Sequence, residues 1–327
     1  MLAFITRRLI YMMITIIFVS IFGFIIINLP PGTYLDVKIA ELQSKGGTTS
    51  VEQIEGLKRR YGLDKSLYEQ YWIWISNFVK GDFGMSFIYD VPVRELIGPR
   101  LGYTVLISLG TMLFTWLVAI PIGIYSATHQ YKIGDNIFTF IGFLGLSIPN
   151  FLLALIFMVI GAVYFNQPIG GLFSDAFADA PMSFAKLIDL FKHLWIPIVV
   201  VGTAGTAGLI RVMRGNLLDI LNQQYIQTAR AKGLSELVVI YKHAVRNALH
   251  PLIMTLGMSL PAIISGSTVT AIVLNLPTTG PLYFRALRSQ DMFLAGSFLM
   301  FLSILLIIGN LVADILLAWV DPRIKYE

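Results

Sequence analysis

Six stretches of the chain are almost free of charged residues, and most are long enough for a helix to cross the hydrocarbon core of a bilayer, which takes ~20 residues. They lie at or within residues 9–29, 101–131, 136–166, 194–210, 251–276 and 292–320. The first stretch ends at Pro30-Pro31-Gly32 without a small-residue cleavage pattern, so we interpret it as an uncleaved helix and not as a signal peptide. The pattern predicts an all-α integral membrane protein with six transmembrane helices.

Residues 31–100, between the first two spans, carry helical signals of their own. Ser50 with Gln53, and Ser66 with Glu69, have the spacing of capping boxes. Behind the second box an apolar stripe follows at helical spacing, formed by Leu67, Tyr71, Trp74, Ile75 and Phe78. We predict a helical insertion after the first span. It either packs on the outer face of the bundle or offers a docking surface to an external partner.

Residues 211–250, between the fourth and fifth spans, predict two helices joined by a short turn. The apolar stripe of the first helix consists of Leu217, Ile220, Leu221 and Tyr225. Gly233 ends this helix, and Ser235 with Glu236 suits the start of the next one. The apolar side of the second helix consists of Leu237, Val238, Ile240, Tyr241, Ala244, Val245, Ala248 and Leu249.

Small residues lie near the tip of this loop, at Ala229, Ala231 and Gly233. Such residues let the backbone of another protein come close, whereas a solvated loop gains nothing from them. The loop also carries six Lys and Arg residues against two acids. The alternative interpretation is therefore a basic loop that only follows the positive-inside rule.

Composition supports the membrane interpretation. Of the 327 residues, 56% are hydrophobic and 13% are charged, about half the ~25% charged residues of an ordinary soluble chain. A soluble enzyme and a disordered protein are therefore excluded. The chain has no cysteine, which excludes disulfides and thiolate chemistry.

The net charge of +5 is distributed unevenly when the N-terminus is placed inside the cell. The inside segments then carry 11 Lys and Arg residues against 5 acids, and the outside segments are balanced. By the positive-inside rule, both termini are predicted to be cytoplasmic, and the insertion at residues 31–100 is extracytoplasmic.

The sequence shows no catalytic motif. It contains no G-x-S-x-G elbow, no H-E-x-x-H pair and no Gly-rich phosphate loop ending in Gly-Lys-Ser/Thr. The four histidines show no close ligand pairing. We therefore predict that the chain is not an enzyme, binds no metal or other cofactor and does not bind ATP itself.

The loop between the fourth and fifth spans resembles the EAA loop of ABC-importer permeases of the binding-protein-dependent type. The resemblance is carried by Tyr225-Ile226-Gln227-Thr228-Ala229-Arg230-Ala231-Lys232-Gly233-Leu234-Ser235 and by Lys242-His243-Ala244-Val245-Arg246-Asn247-Ala248. Further matches, in the same order, are Arg60-Tyr61-Gly62-Leu63-Asp64, Gly81-Asp82-Phe83-Gly84-Met85-Ser86, Gly309-Asn310-Leu311-Val312-Ala313-Asp314 and Asp321-Pro322-Arg323-Ile324. Together they are similar to the B-type subunit of the oligopeptide/dipeptide permease family.

This resemblance implies an ABC importer type I transmembrane fold. Residues 1–100 would hold the first helix and the extracytoplasmic region, and residues 101–327 a five-helix permease domain with the coupling loop at 211–250. The docking residues for the ATPase subunit would be Gln227, Thr228, Ala229, Arg230, Ala231, Lys232, Gly233, Leu234, Ser235 and Glu236.

The resemblance also implies the partners. They are a second permease chain of the C type, two cytoplasmic ATPase subunits that hold ATP and Mg²⁺, an extracytoplasmic binding protein and the lipid bilayer of a bacterial or archaeal cell membrane. Nucleic acid is not among them. The implied cargo is peptide, with oligosaccharide as the alternative. A secondary transporter or channel is a further alternative, but it would not need the basic loop with its small-residue tip.

Two groups within the spans are further candidates. Asp314 is the one acid inside a predicted span, and it is expected to form an ion pair with Arg211 or Arg214; proton or ion coupling is the alternative role. The fourth span has a small-residue face, which serves either helix packing or the substrate path. The candidates for the substrate path are Gly202, Thr203, Gly205 and Thr206.

Overall fold

The computed structural model describes residues 2–29, 55–56, 59, 62, 64–164 and 169–320. Within these ranges every regular secondary-structure element of several residues is a helix. The helices are α1 Leu2–Asn28, α2 Leu67–Val79, α3 Val93–Thr128, α4 Ile133–Ser147, α5 Asn150–Tyr164, α6 Phe184–Leu221, α7 Gln224–Ala231, α8 His250–Gly266, α9 Thr268–Val273, α10 Thr279–Arg288 and α11 Met292–Val320. Between α7 and α8 lie a π-helical segment, Val238–Val245, and a short α-helical turn, Arg246–Ala248.

Four of the described helices are long and apolar enough to cross a membrane. These stretches are Ile10–Asn28, Val93–Thr128, Phe184–Leu221 and Met292–Leu317. They correspond to the first, second, fourth and sixth predicted spans. The fourth is much longer than the predicted stretch at residues 194–210, because α6 continues through polar residues at both of its ends.

The third predicted span is not one helix. α4 and α5 meet at a bend of 99°. Proline disfavours helical backbone angles at the residue before it, and Ile148, before Pro149, accordingly takes an extended conformation. The fifth predicted span is likewise divided between α8 and α9, and neither is long enough to count as a spanning helix by the same criterion.

The chain divides into two compact units. The first comprises Met1–Thr104 and Thr278–Leu305, and the second comprises Val105–Pro277 and Leu306–Glu327. The first unit thus includes a segment near residues 278–305 that the sequence assigned to the second domain.

The core of the first unit is built on α2. The capping box of Ser66 and Glu69 is confirmed, and hydrogen bonds from Ser66 hold the pKa of the Glu69 carboxyl below its usual value. Trp74 is almost fully buried and lies against the rings of Phe24 and Tyr71. The other predicted box, Ser50 with Gln53, lies outside the described residues.

Asp291, at the start of α11, connects two segments of the first unit through hydrogen bonds. Its carboxylate accepts hydrogen bonds from the Ser86 hydroxyl at 2.6 Å, from the Ile88 amide at 3.2 Å and from the Leu294 amide at 3.1 Å. The side chain is completely buried, and this burial raises the pKa of Asp291 although the hydrogen bonds oppose the shift. The segment after α2 is thereby fixed to the first turn of α11.

The second unit is organised around α6. Glycines let neighbouring helices come unusually near to it. A Cβ at Gly123 of α3 would lie 2.7 Å from Met213 of α6, and a Cβ at Gly145 of α4 would lie 3.0 Å from Thr203 of α6. Since apolar lipid offers no hydrophobic drive for helix association, close packing of this kind holds helices together in a membrane.

An ion pair joins α4 to α6. The Arg214 guanidinium donates to both carboxylate oxygens of Asp135, through Nε and Nη2, each at 2.9 Å. The Asp135 side chain is buried, and it also accepts from the Tyr131 amide at 3.0 Å. Asp135 lies in the first turn of α4 and binds Arg214 in a bidentate geometry; a pairing of Arg214 with Asp314 stays a prediction.

We predict that Gly123→Ala destabilises the protein by about 1–3 kcal/mol, because the new methyl group collides with Met213 and approaches the Ile210 carbonyl oxygen at 3.3 Å. Thermal unfolding of the purified protein in detergent measures the effect. Gly208→Ala and Gly215→Ala are matched controls, since a Cβ at either position meets nothing within 4 Å. Their midpoints should stay unchanged or rise, because alanine favours helix over glycine. Equal losses in all three variants would contradict the close contact.

We predict that Asp135→Ala lowers the stability by roughly 3–5 kcal/mol, because it leaves the Arg214 charge without its partner. The double variant Asp135→Ala/Arg214→Ala should lose less than the sum of the two single variants, and unfolding midpoints again provide the readout. Arg211→Ala is the control. Arg211 is exposed, and its guanidinium lies 5.0 Å from the Phe143 ring centre, a contact that contributes only ~0.5–1 kcal/mol. Additive losses would show that the pair is not coupled.

Candidate functional site

The loop between α6 and α8 contains the candidate docking site. α6 ends at Leu221, and α7 starts only three residues later, after a break at Asn222 and Gln223. The sequence predicted one continuous helix here. Because of the break, Tyr225 does not continue the buried stripe of Leu217 but is half exposed.

α7 is held against α6 by its apolar side. Ile226 is fully buried, and Ala229 is nearly so. Both belong to one cluster with Met213 and Leu217 of α6, and the π-helical segment contributes Val239 to it. α7 thus rests on the end of α6 and cannot shift without disturbing this cluster.

Two polar contacts close the loop. Arg230 donates through Nε to Glu236 at 2.9 Å, across the turn at Gly233. The amide of Asn247 donates to the Tyr225 hydroxyl at 2.8 Å. Gly233 has φ +77°, the left-handed region that glycine adopts without cost. The arms before and after the tip are therefore tied together within the chain itself.

Nine of the ten predicted docking residues are exposed, and Ala229 is the exception. Ala229 packs inside the chain's own cluster, and its role in docking stays a prediction. Ala231 and Gly233 are exposed, and a Cβ at Gly233 would meet nothing within 4 Å. These two small residues at the tip are therefore exposed and not covered by other described parts of the chain.

Apolar side chains are exposed next to this tip. Leu234, Leu237 and Tyr241 are 40%, 69% and 58% exposed. The sequence placed Leu237 and Tyr241 on a buried helix face. For Tyr241 the π-helical segment explains the difference, because its turn takes one residue more than an α-turn and rotates the side chains that follow; Leu237 lies just before this segment. Apolar groups beside cations on a protruding loop are typical of a protein-binding surface.

The other predicted residues lie among contacts between helices, and their role in the substrate path stays a prediction. A Cβ at Gly202 would lie 2.7 Å from the Phe114 ring, and the Thr206 hydroxyl donates to the Gly202 carbonyl at 2.8 Å. Thr203 faces Gly145, and Gly205 lines a cavity. Asp314 is half-buried on α11, and its pairing with Arg211 stays a prediction.

Asp135 is the residue that the sequence reasoning missed. No contact was predicted for this residue, which directly precedes the charge-free stretch at 136–166. An acid directly before a long apolar stretch is a signal for the first turn of a helix, where it suits the positive end of the helix dipole. In the described part of the chain, no three His, Asp or Glu side chains come together as metal ligands.

Two family models match the chain. Residues 119–326 match the binding-protein-dependent transport system inner membrane component, and residues 1–109 match the N-terminal part of such a membrane component. Both arms of the loop between α6 and α8 fall within the first match.

Curated relatives align with the chain from end to end. The oligopeptide transport system permease protein AppB of Bacillus subtilis is 36% identical over the full length of both proteins. The dipeptide transport system permease protein DppB and the glutathione transport system permease protein GsiC, both of Escherichia coli K12, are each 30% identical, again over full length. These matches confirm the resemblance to the oligopeptide/dipeptide permeases. The chain therefore belongs to the family of inner membrane components of binding-protein-dependent transport systems.

Proposed function

We propose that this chain is a permease subunit of an ATP-driven importer and that the loop around Gly233 docks on a cytoplasmic ATPase subunit. The observation that carries the proposal is the construction of the loop. An exposed, small-residue tip with apolar and basic neighbours is held rigidly on the end of α6. A rigid connection is what a subunit needs when another protein supplies the force for its movement.

The proposed mechanism is alternating access. ATP binding closes the two ATPase subunits and draws the docked loops together, and the membrane helices then open outward to receive cargo from an extracytoplasmic binding protein. Nucleotide acts by favouring one of two bundle states through its partner subunits. ATP and Mg²⁺ are bound by those subunits, and this chain carries no cofactor and no catalytic step. A C-type permease chain completes the membrane domain.

In the membrane, we propose six crossings with both termini in the cytoplasm of a bacterial or archaeal cell. The pair α4 and α5 would form the third crossing, and α8 with α9 the fifth. Residues 1–100 would supply the first crossing and the extracytoplasmic region, and residues 101–327 the permease domain. The charge asymmetry between the connecting segments supports this orientation.

Peptides are the proposed cargo. The relatives are named as permeases for oligopeptides, dipeptides and glutathione, all of which contain amide-linked amino acids. Oligosaccharide remains the alternative cargo for the same mechanism. For Asp314 we propose a structural role in the bundle in preference to proton coupling, so that transport should not follow the protonation of this residue.

We predict that Gly233→Asp prevents co-purification with the ATPase subunits while membrane insertion stays normal. The side chain would block the close approach of a partner and place a negative charge among cations. Gly81→Asp is a matched control, because Gly81 also has positive φ, +83°, and open space around its Cβ position. Both variants introduce a backbone strain of ~1 kcal/mol. They therefore differ only in where the new side chain is placed. Co-purification of Gly233→Asp at the wild-type level would refute the docking role.

We also predict that two neighbouring alanines respond differently to glutamate. Ala231→Glu should abolish ATPase binding and leave the unfolding midpoint unchanged, because Ala231 is exposed at the tip. Ala229→Glu should lower the midpoint itself, because it places a charge inside the apolar cluster with Met213 and Ile226. Measuring both properties on each variant separates docking from folding. The proposal fails if Ala231→Glu binds the ATPase normally.

A further inference from the structure

A half-open cavity of about 300 Å³ lies in the second unit, between α3, α5, α6 and α8. Its volume corresponds to roughly ten water molecules and reaches the lower end of the range for small-molecule sites. It borders the small-residue face of α6 at Gly205, a predicted residue of the substrate path.

The described residues that line this cavity carry hydroxyl and amide groups but no ionisable group. The polar lining residues are Thr111, Thr115, Asn150, Thr255, Ser259 and Ser267. A charged ligand would find no counter-charge among them. A neutral group with hydrogen-bond donors and acceptors would find partners on several helices.

Most of these hydroxyl groups already donate a hydrogen bond to another group of the protein. Thr255 donates to the Leu252 carbonyl at 2.8 Å, and Ser259 donates to the Leu256 carbonyl at 2.7 Å. The lone pairs of such hydroxyl oxygens remain able to accept a further hydrogen bond. The cavity therefore offers acceptors for N–H or O–H groups.

Thr111 differs from these residues. Its side chain is 1% exposed, and its hydroxyl has no hydrogen-bond partner in the described part of the chain. A buried polar group without a partner destabilises the fold. A turn about χ1 would present this hydroxyl to the cavity, where a ligand that hydrogen-bonds to it would offset that destabilisation; the hydroxyl can supply both a donor and an acceptor.

The helix break at Pro149 reaches the same cavity through Asn150. Irregular backbone at membrane depth is tolerated where it is covered by protein or lines a cavity. Broken helices are also a common way for transporters to place polar groups beside a substrate. The bend between α4 and α5 thus brings an amide side chain to a cavity whose other polar groups are hydroxyls.

We propose that this cavity is a binding site for uncharged hydrogen-bonding groups, and that it holds main-chain amides of the peptide during transport. The assignment to peptide rests on the proposed function. The cavity then recognises main-chain amide groups, which all peptides share, and makes no charged contact with peptide side chains. Sugar hydroxyls offer similar chemistry, and the experiment separates the two sources.

The test uses Trp116, which also lines the cavity. The purified full-length protein is titrated with N-methylacetamide, glycerol and acetate while the tryptophan fluorescence is followed, and Trp116→Phe identifies the signal of this residue. We expect a saturable change with N-methylacetamide and none with acetate. Thr111→Val, which keeps the shape of the side chain, should weaken the apparent affinity about 5–10-fold, the value of one hydrogen bond.

The unfolding midpoint of Thr111→Val should be equal to or above that of the wild type, because the unpaired hydroxyl is gone. Ser297→Ala is the matched control, since Ser297 is a buried hydroxyl without a hydrogen-bond partner in the described chain and does not line the cavity. It should leave the titration unchanged. A linear, non-saturating response, or equal affinity in Thr111→Val, would overturn the site. Saturation by glycerol but not by N-methylacetamide would overturn the amide assignment in favour of sugar.

Uptake by the complete importer in proteoliposomes then links the site to transport. Labelled tetra-alanine should enter several-fold more slowly with Thr111→Val than with wild type or Ser297→Ala. Failure of the wild-type complex to import peptide would refute the proposed cargo and leave the titration to decide the site. Normal uptake by Thr111→Val would refute the role of the cavity in transport.

Discussion

The close approach of helices to α6 is the constraint on which the second unit depends. α4, α5, α7, α8 and the π-helical segment all contact this one helix. Inside a bilayer, packing distance and a few polar contacts must supply the cohesion that water supplies for soluble proteins. Gly123 and Gly145 allow neighbouring helices to approach α6 closely, and the ion pair of Asp135 with Arg214 adds a directional contact. A change at one of these sites therefore affects several helices at once.

Local features of the fold could be predicted from the sequence. The capping box at Ser66 and the left-handed glycine at position 233 depend on neighbouring residues only, and both are present. The apolar stretches also correspond to helices, because a missing charge is visible without knowledge of the neighbours. The bend before Pro149 had a local cause as well, but its consequence, two helices at a sharp angle, depends on what packs around them.

Features that depend on distant residues could not be predicted. Arg214 had several possible acids in reach, and which one it meets is decided by how α4 lies on α6. At the docking loop, a break of two residues and one π-helical segment shift the buried faces. Ala229 therefore turns inward, while Tyr241 turns outward. Helical periodicity predicts the buried face of an uninterrupted α-helix. A short change of helix type therefore reverses the predicted burial of single residues.

The length of α6 has an electrostatic consequence for the loop it carries. Residues 211–221 extend the helix by about 16 Å beyond its charge-free stretch. That distance is about twice the Debye length of ~8 Å at physiological salt. In the proposed topology, anionic lipid headgroups would attract charges at the far end of α6 only weakly, since the surface potential of a membrane decays over one such length. The basic residues carried beyond this end would then act on whatever approaches them through the aqueous phase.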